Sequence, residues 1–253
     1  VLTTPDAHFH AERLARGGVG QAGVTAAPFE AFIADWALLR RGLGDDAFDA
    51  LTVTATGTDF SYDLDLTATG PLVLQGEGGY SVKSAFGQAS YYYSQPFFEV
   101  TGTLNLPTGT VAVTGKGWLD REWSSQPLAE SQTGWDWVSL HLSTGEGLMG
   151  FRLRDREAPP FTSATWIAAD GTPTPFSNGA LTMTPVSTTE VAGRSVPTSW
   201  RVELPANALD VRLDAINPQS WMAVSVPYWE GPVRINGSHS GHGYLEMTGY
   251  RAR

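Results

Sequence analysis

Two short stretches crowd acids against tryptophans. GWLDREW (117–123) sets Asp120, Arg121 and Glu122 between Trp118 and Trp123, and GWDWVSLHL (134–142) sets Asp136 between Trp135 and Trp137. A charge beside large apolar rings is costly unless it is paired or neutralised. A carboxyl group without a cationic partner would be kept protonated by burial and could donate a proton. A carboxylate that meets an arginine would instead be a buried ion pair holding the fold together.

Extended backbone sorts these residues by alternation. Read as a strand, 117–123 puts Trp118, Asp120 and Glu122 on one face and Leu119, Arg121 and Trp123 on the other. Same-face neighbours lie about 6.5–7 Å apart, close enough for two buried carboxylates to raise one pKa. In 134–142, Trp135, Trp137, Ser139 and His141 share a face, while Asp136, Val138, Leu140 and Leu142 share the other. The apolar run marks that second face as a core or a ligand cavity. Asp136 is therefore the first candidate acid, followed by Asp120 with Glu122 beside it. STGEG (143–147) then turns the chain and LMGFRLR (148–154) returns, with Met149, Phe151 and Leu153 on one face and Arg152 and Arg154 on the other. Two alternating runs around a Gly-containing turn predict a β-hairpin. By residue type the acids read as fold-holding pairs, with Asp136 the exception.

The elements that must position these residues are strands. Segments 51–57, 62–67, 71–74 and 111–115 are short, rich in β-branched residues and alternating. Turn signals at intervals of about 8–12 residues, among 28 glycines and 16 prolines, predict antiparallel sandwiches or barrels. Helical signals are few: 11–15 suggests one turn, and 29–41 is ambiguous between helix and strand. The polar loop 124–133 is the expected domain boundary.

Composition narrows the function classes. With 253 residues, 42% hydrophobic and 17% charged, the chain can bury a sizeable core. A net charge of −10 argues against nucleic acid and anionic membrane surfaces. The absence of cysteine excludes disulfides and thiolate metal sites. No run of about 18 apolar residues is present. The opening at Val1 reads like the interior of a longer chain, and a processed or truncated product is expected. His239 and His242 flank a glycine turn without a third ligand nearby, so no metal is expected. His141 reads as a hydrogen-bonded or core histidine. GEGG (76–79) and GHG (241–243) lack the strand–helix context of a phosphate loop. The aromatic run YYYSQPFF (91–98) fits either a ligand-contacting lid or a seam between domains.

The two tryptophan motifs, with YWEGPVRINGSHSGHGYLEMTGY (228–250), HAERLARGGVGQAG (10–23) and ADW (34–36), resemble the hydroxyneurosporene synthase (carotenoid 1,2-hydratase) family and its AttH-like relatives. The resemblance implies an all-β protein of two lipocalin-like, calycin-type antiparallel barrels packed together, here 1–127 and 128–253. It also makes 32–38 a strand. A Glu-Trp-Trp-Tyr-like motif usual near the start of the family is missing before His8, so the first barrel is expected to be incomplete. Some members of the family hydrate the terminal alkene of acyclic carotenoids, and many are encoded beside transport components of the cell envelope.

Three functions follow as expectations. The first is a barrel cavity for an apolar, isoprenoid-like or lipid-like ligand, lined by Trp118, Trp135, Trp137, Tyr228, Trp229 and Tyr244, in an envelope or periplasmic protein. The second is a hydratase with no cofactor, in which Asp136, Asp120 or Glu122 protonates an alkene, aromatic faces stabilise the cation and water adds. The third is an interaction module in which the tryptophans only cement an interface.

Overall fold

The computed structural model describes residues 1–42, 48–126 and 128–252. Among these, the chain is built of β-strands and contains one helical turn, the 3-10 segment Pro205–Asn207. Residues 11–15, expected to make a helical turn, belong to no regular element. Two glycines follow almost at once, and so short a segment cannot repay the cost of helix nucleation. The ambiguous stretch 29–41 is a hairpin of Phe29–Ile33 and Trp36–Arg40, tightened by Ala34 at φ 54°. The expected continuous strand over 32–38 is therefore interrupted by a turn.

The chain forms two compact units, assembled from interleaved segments. The first takes 1–2, 9–71 and 95–119, and the second takes 3–8, 72–94 and 120–253. The boundary expected between 127 and 128 falls at Pro127, which lies outside the described residues.

In the first unit the strands Ala22–Ala26, Phe29–Ile33, Trp36–Arg40, Ala50–Thr56 and Ser61–Ala68 pair each with the next, antiparallel throughout. Ser61–Ala68 then pairs with the later part of the long strand Ala89–Leu106. Phe29, Leu51 and Phe98 form a small buried cluster, with Leu38, Leu66 and Val100 packed around it.

In the second unit the hairpin Gln132–Leu142/Gly147–Asp155 forms as its alternation predicts, with Asp136 opposite Arg152 and Trp137 opposite Phe151. The strand Gly241–Met247 inserts between Gln132–Leu142 and Tyr228–Gly237. That topology sets Glu246 opposite both Trp137 and Glu230. One face of this sheet buries Val138, Leu140, Leu148, Trp200, Trp229 and Leu245 in the hydrophobic core. Burying a side chain of this size contributes about 1.5–3 kcal/mol each, which is why this face, and not the tryptophan face, defines the core.

Candidate active site

The two faces of the strand Gln132–Leu142 have different fates. Asp136 points with Val138 and Leu140 toward the core side and is completely buried. It is not alone there. Arg152 donates to Asp136 Oδ2 through Nε at 3.0 Å and Nη2 at 2.9 Å. Arg154 Nη1 and the Tyr250 hydroxyl, the latter at 2.9 Å, both donate to Oδ1. The guanidinium of Arg152 lies over Trp200 and that of Arg154 over Tyr250, 4.8 and 4.3 Å from the ring centroids. Burial, reinforced by the Asp136 charge, raises the pKa of Tyr250 and keeps its proton in place.

The candidate acid Asp136 therefore stands in an ion-paired setting. Its acceptor positions are filled by two cations and a phenol, and it does not line the ligand-sized cavity described below. The hairpin register explains the outcome, because Arg152 lies opposite Asp136 and Arg154 opposite Gly134, so both arginines fall on the face that carries Asp136. Gly134 completes the cluster. It sits at a register shift with φ 140°, and a Cβ there would lie 2.5 Å from the Thr248 carbonyl oxygen and 2.7 Å from Arg154 Nη2. Its missing side chain lets Arg154 reach that carbonyl.

The opposite face of the same strands floors a cavity of about 440 Å³, within the range of small-molecule sites. Trp135, Trp137, Phe151 and Leu153 supply its apolar lining. Asp120, Glu122, Glu246 and Lys83 supply its charges, and Tyr92 and Trp123 complete the aromatic wall. All these residues belong to the second unit. The face of this sheet that carries Val138 and Leu140 is packed core, and the cavity lies on the other face. Among the expected ligand residues, Trp135 and Trp137 line the cavity, while Trp118, Tyr228 and Tyr244 do not. Trp229 is wholly buried in the core, its indole N–H donating to the Pro218 carbonyl at 2.9 Å. From the aromatic run 91–98, Tyr92 enters the cavity, and Tyr91 and Tyr93 pack against Trp123.

The polar wall is wired together. Trp137 Nε1 donates to the Tyr92 hydroxyl at 3.1 Å, and Tyr92 in turn hydrogen-bonds to Asp120. Ser94 also donates to Asp120. Burial, reinforced by Asp120 and Glu122, holds the Tyr92 phenol well above its ordinary pKa. Glu122 accepts from Ser90 at 2.5 Å and pairs with Lys83 Nζ at 2.6 Å. Glu246 Oε1 accepts the Trp135 indole N–H at 2.7 Å. Burial raises the pKa of Glu246, and Glu122 adds to the rise. Its cross-strand neighbour Glu230 is pushed up to about 7, chiefly by burial and then by Glu246. Two acids opposite each other on a half-buried sheet disfavour each other's ionisation.

Lys83, Glu246 and Glu230 were not singled out from the sequence. Glu246 and Glu230 stand in the closing motif, whose alternation puts each on one face of its strand, but their opposition depends on the pairing of Tyr228–Gly237 with Gly241–Met247. Lys83 lay in an unremarkable segment. Its only signal was scarcity, since Lys83 and Lys116 are the two lysines among 16 basic residues.

A second depression of about 350 Å³ lies on the sheet of the first unit, around Phe32, Trp36, Val53 and Tyr62. No carboxylate or amine lines it. Among the described residues no group of three or more His, Asp or Glu side chains is placed to hold a metal ion.

Comparison with known proteins agrees with this architecture. The crystal structure of an AttH protein from Nitrosomonas europaea is similar, with a TM-score of 0.79 and 32% identity over 88% of this chain and 70% of that one. Kievitone hydratase from Nectria haematococca has a TM-score of 0.70 and 18% identity, with the same coverage of each chain, a likeness of fold alone. No curated protein matches. The all-β, two-barrel lipocalin-like class expected from the motifs holds for this chain. The family model described as AttH-like matches residues 1–250, and the chain therefore belongs to the AttH-like family.

Proposed function

We propose that this protein binds an apolar small molecule in the cavity of the second unit. The observation that carries the reading is the asymmetry of the cavity wall. Rings and aliphatic side chains form the floor, and Asp120, Glu122, Lys83 and Glu246 form one polar wall. Such a site buries an apolar body and orients a polar or reactive end. Placement in the cell envelope and association with transport components belong to the same reading; they rest on the family resemblance alone, and cell fractionation tests them.

A second reading, hydration of an alkene, is favoured by Glu246. Burial raises the pKa of this acid, so it holds its proton closer to neutral pH. Proton transfer to the alkene from Glu246 would leave a carbocation facing Trp135 and Trp137, whose rings stabilise a cation by about 0.5–2 kcal/mol per good contact. Water then adds and returns a proton to the carboxylate. In this reading Asp120 and Glu122 shape the field, and Asp136 has no part.

Native mass spectrometry of the purified protein tests both readings. A co-purified apolar molecule is expected on the wild type, and Trp137→Ala should lose it. Retention of ligand by Trp137→Ala would move the site elsewhere. Glu246→Gln should keep the ligand and lose turnover of an alkene substrate if hydration is the reaction.

A further inference from the structure

Lys83 is an unusual residue for this chain. Of 16 basic residues two are lysines, so arginine outnumbers lysine fourteen to two. Lys116 is the other, an exposed partner of Glu99. Lys83 lies in the cavity wall with its side chain 19% exposed. Elsewhere in the second unit the buried ion pairing is done by arginines, at Asp136. Arginine stays protonated in proteins, whereas a buried lysine can give up its proton and become a nucleophile.

The surroundings fit that use. The Nζ atom sits 4.0 Å from the centroid of the Phe151 ring and 5.1 Å from that of Tyr92. Its ion partner is Glu122 at 2.6 Å, a carboxylate placed to take its proton. The backbone is pinned: Lys83 N–H donates to the Gln88 carbonyl at 2.6 Å, and the Lys83 carbonyl accepts from Gln132 Nε2 at 3.4 Å. Ser84 Oγ accepts the N–H groups of Phe86 and Gln88, and Gly87 at φ 86° closes the loop. The amine is therefore delivered to the cavity by a short, internally bonded loop.

We propose that Lys83 forms an imine with the carbonyl carbon of an aldehyde- or ketone-bearing apolar ligand held in this cavity. The ammonium passes a proton to Glu122, and the neutral Nζ adds to the carbonyl carbon to give a carbinolamine. The extra proton that addition leaves on the nitrogen moves to the former carbonyl oxygen, Glu122 returns its proton to the resulting hydroxyl, water departs with the C–O electron pair, and the nitrogen lone pair closes the C=N bond, leaving a protonated imine beside the Glu122 carboxylate. One ligand carbonyl and one ammonium give one protonated imine and one water, with no change of oxidation state. Burial supports the first step, since it lowers the pKa of Lys83 against the pull of Glu122.

The inference rests on the cavity-binding reading and narrows its ligand class. The test uses the full chain, with cinnamaldehyde as the carbonyl probe and 1-phenylpropene as the analogue without a carbonyl. Quenching of tryptophan fluorescence reports entry into the cavity, and sodium cyanoborohydride fixes any imine as a secondary amine that peptide mapping locates. The expected result is quenching by both probes and labelling of Lys83 over Lys116 by at least about tenfold, as for an activated amine against an exposed one. Lys83→Arg, which keeps the charge beside Glu122, should take no label in the cavity. Quenching with Lys83 unlabelled, or labelled no faster than Lys116, would overturn the imine while leaving the cavity reading intact. Quenching by neither probe would overturn both.

Discussion

Asp136 and Glu246 are acids on adjacent strands with opposite surroundings. Asp136 meets two guanidinium groups and a phenol, whereas Glu246 meets an indole N–H and the field of other carboxylates. The first is a structural anchor, and removing its charge strands two cations. Asp136→Asn should cost about 3–5 kcal/mol of stability, measured by urea unfolding, and leave any ligand affinity of the folded protein unchanged. Glu230 makes a pH-dependent contribution. Its carboxyl titrates near 7 in the fold against an ordinary value of 4.5. The folded state thus holds a proton that the unfolded state has already released, so the stabilisation is complete below pH 4.5 and is lost as pH rises to about 7. Stability measured from pH 4.5 to 7 should fall in the wild type, and Glu230→Gln should flatten that slope.

At the scale of the element, the hairpin Gln132–Leu142/Gly147–Asp155 does the positioning. Its period of two sends one set of side chains to the core and the other to the cavity, so one strand serves both packing and binding. Alternation placed Trp135 with Trp137 and Asp136 with Val138 before any pairing was known. It also placed Arg152 and Arg154 on one face of the returning strand; only the pairing showed that this is the face of Asp136. The register shift at Gly134 lies at the start of this hairpin. Gly134→Ala would force a side chain against the Thr248 carbonyl at a backbone angle that favours glycine. A loss of about 1–3 kcal/mol is expected, with the thermal midpoint as the readout. An unchanged midpoint would mean that the strand end relaxes freely.

For the whole molecule, apolar burial is concentrated in the second unit. Its core joins Val138, Leu140, Trp200, Val202, Leu213, Trp229 and Leu245 in a single cluster. The corresponding cluster of the first unit is small, and strands such as Ala22–Ala26 are largely exposed. Local opening is easiest where few apolar contacts are lost. Amide hydrogen exchange should therefore be faster in Ala22–Ala26 and Trp36–Arg40 than in Gln132–Leu142 and Tyr228–Gly237. The cavity is built on the slowly opening unit, which suits a site that must hold its geometry.

The sequence by itself determined the all-β class, the main hairpin and the pairing of faces within each strand, because these follow from side-chain alternation and turn residues over a few positions. Which acid does what was decided by tertiary structure alone. Asp136 looked like the free acid because its strand face is apolar, yet the arginines that neutralise it come from the next strand and the phenol from near the chain's end. Asp120, Glu122, Lys83 and Glu246 are separated by up to 163 positions in the chain and meet in one wall only after folding. Burial and neighbouring charge set the protonation of a side chain, and both are properties of the packed molecule that no local pattern contains.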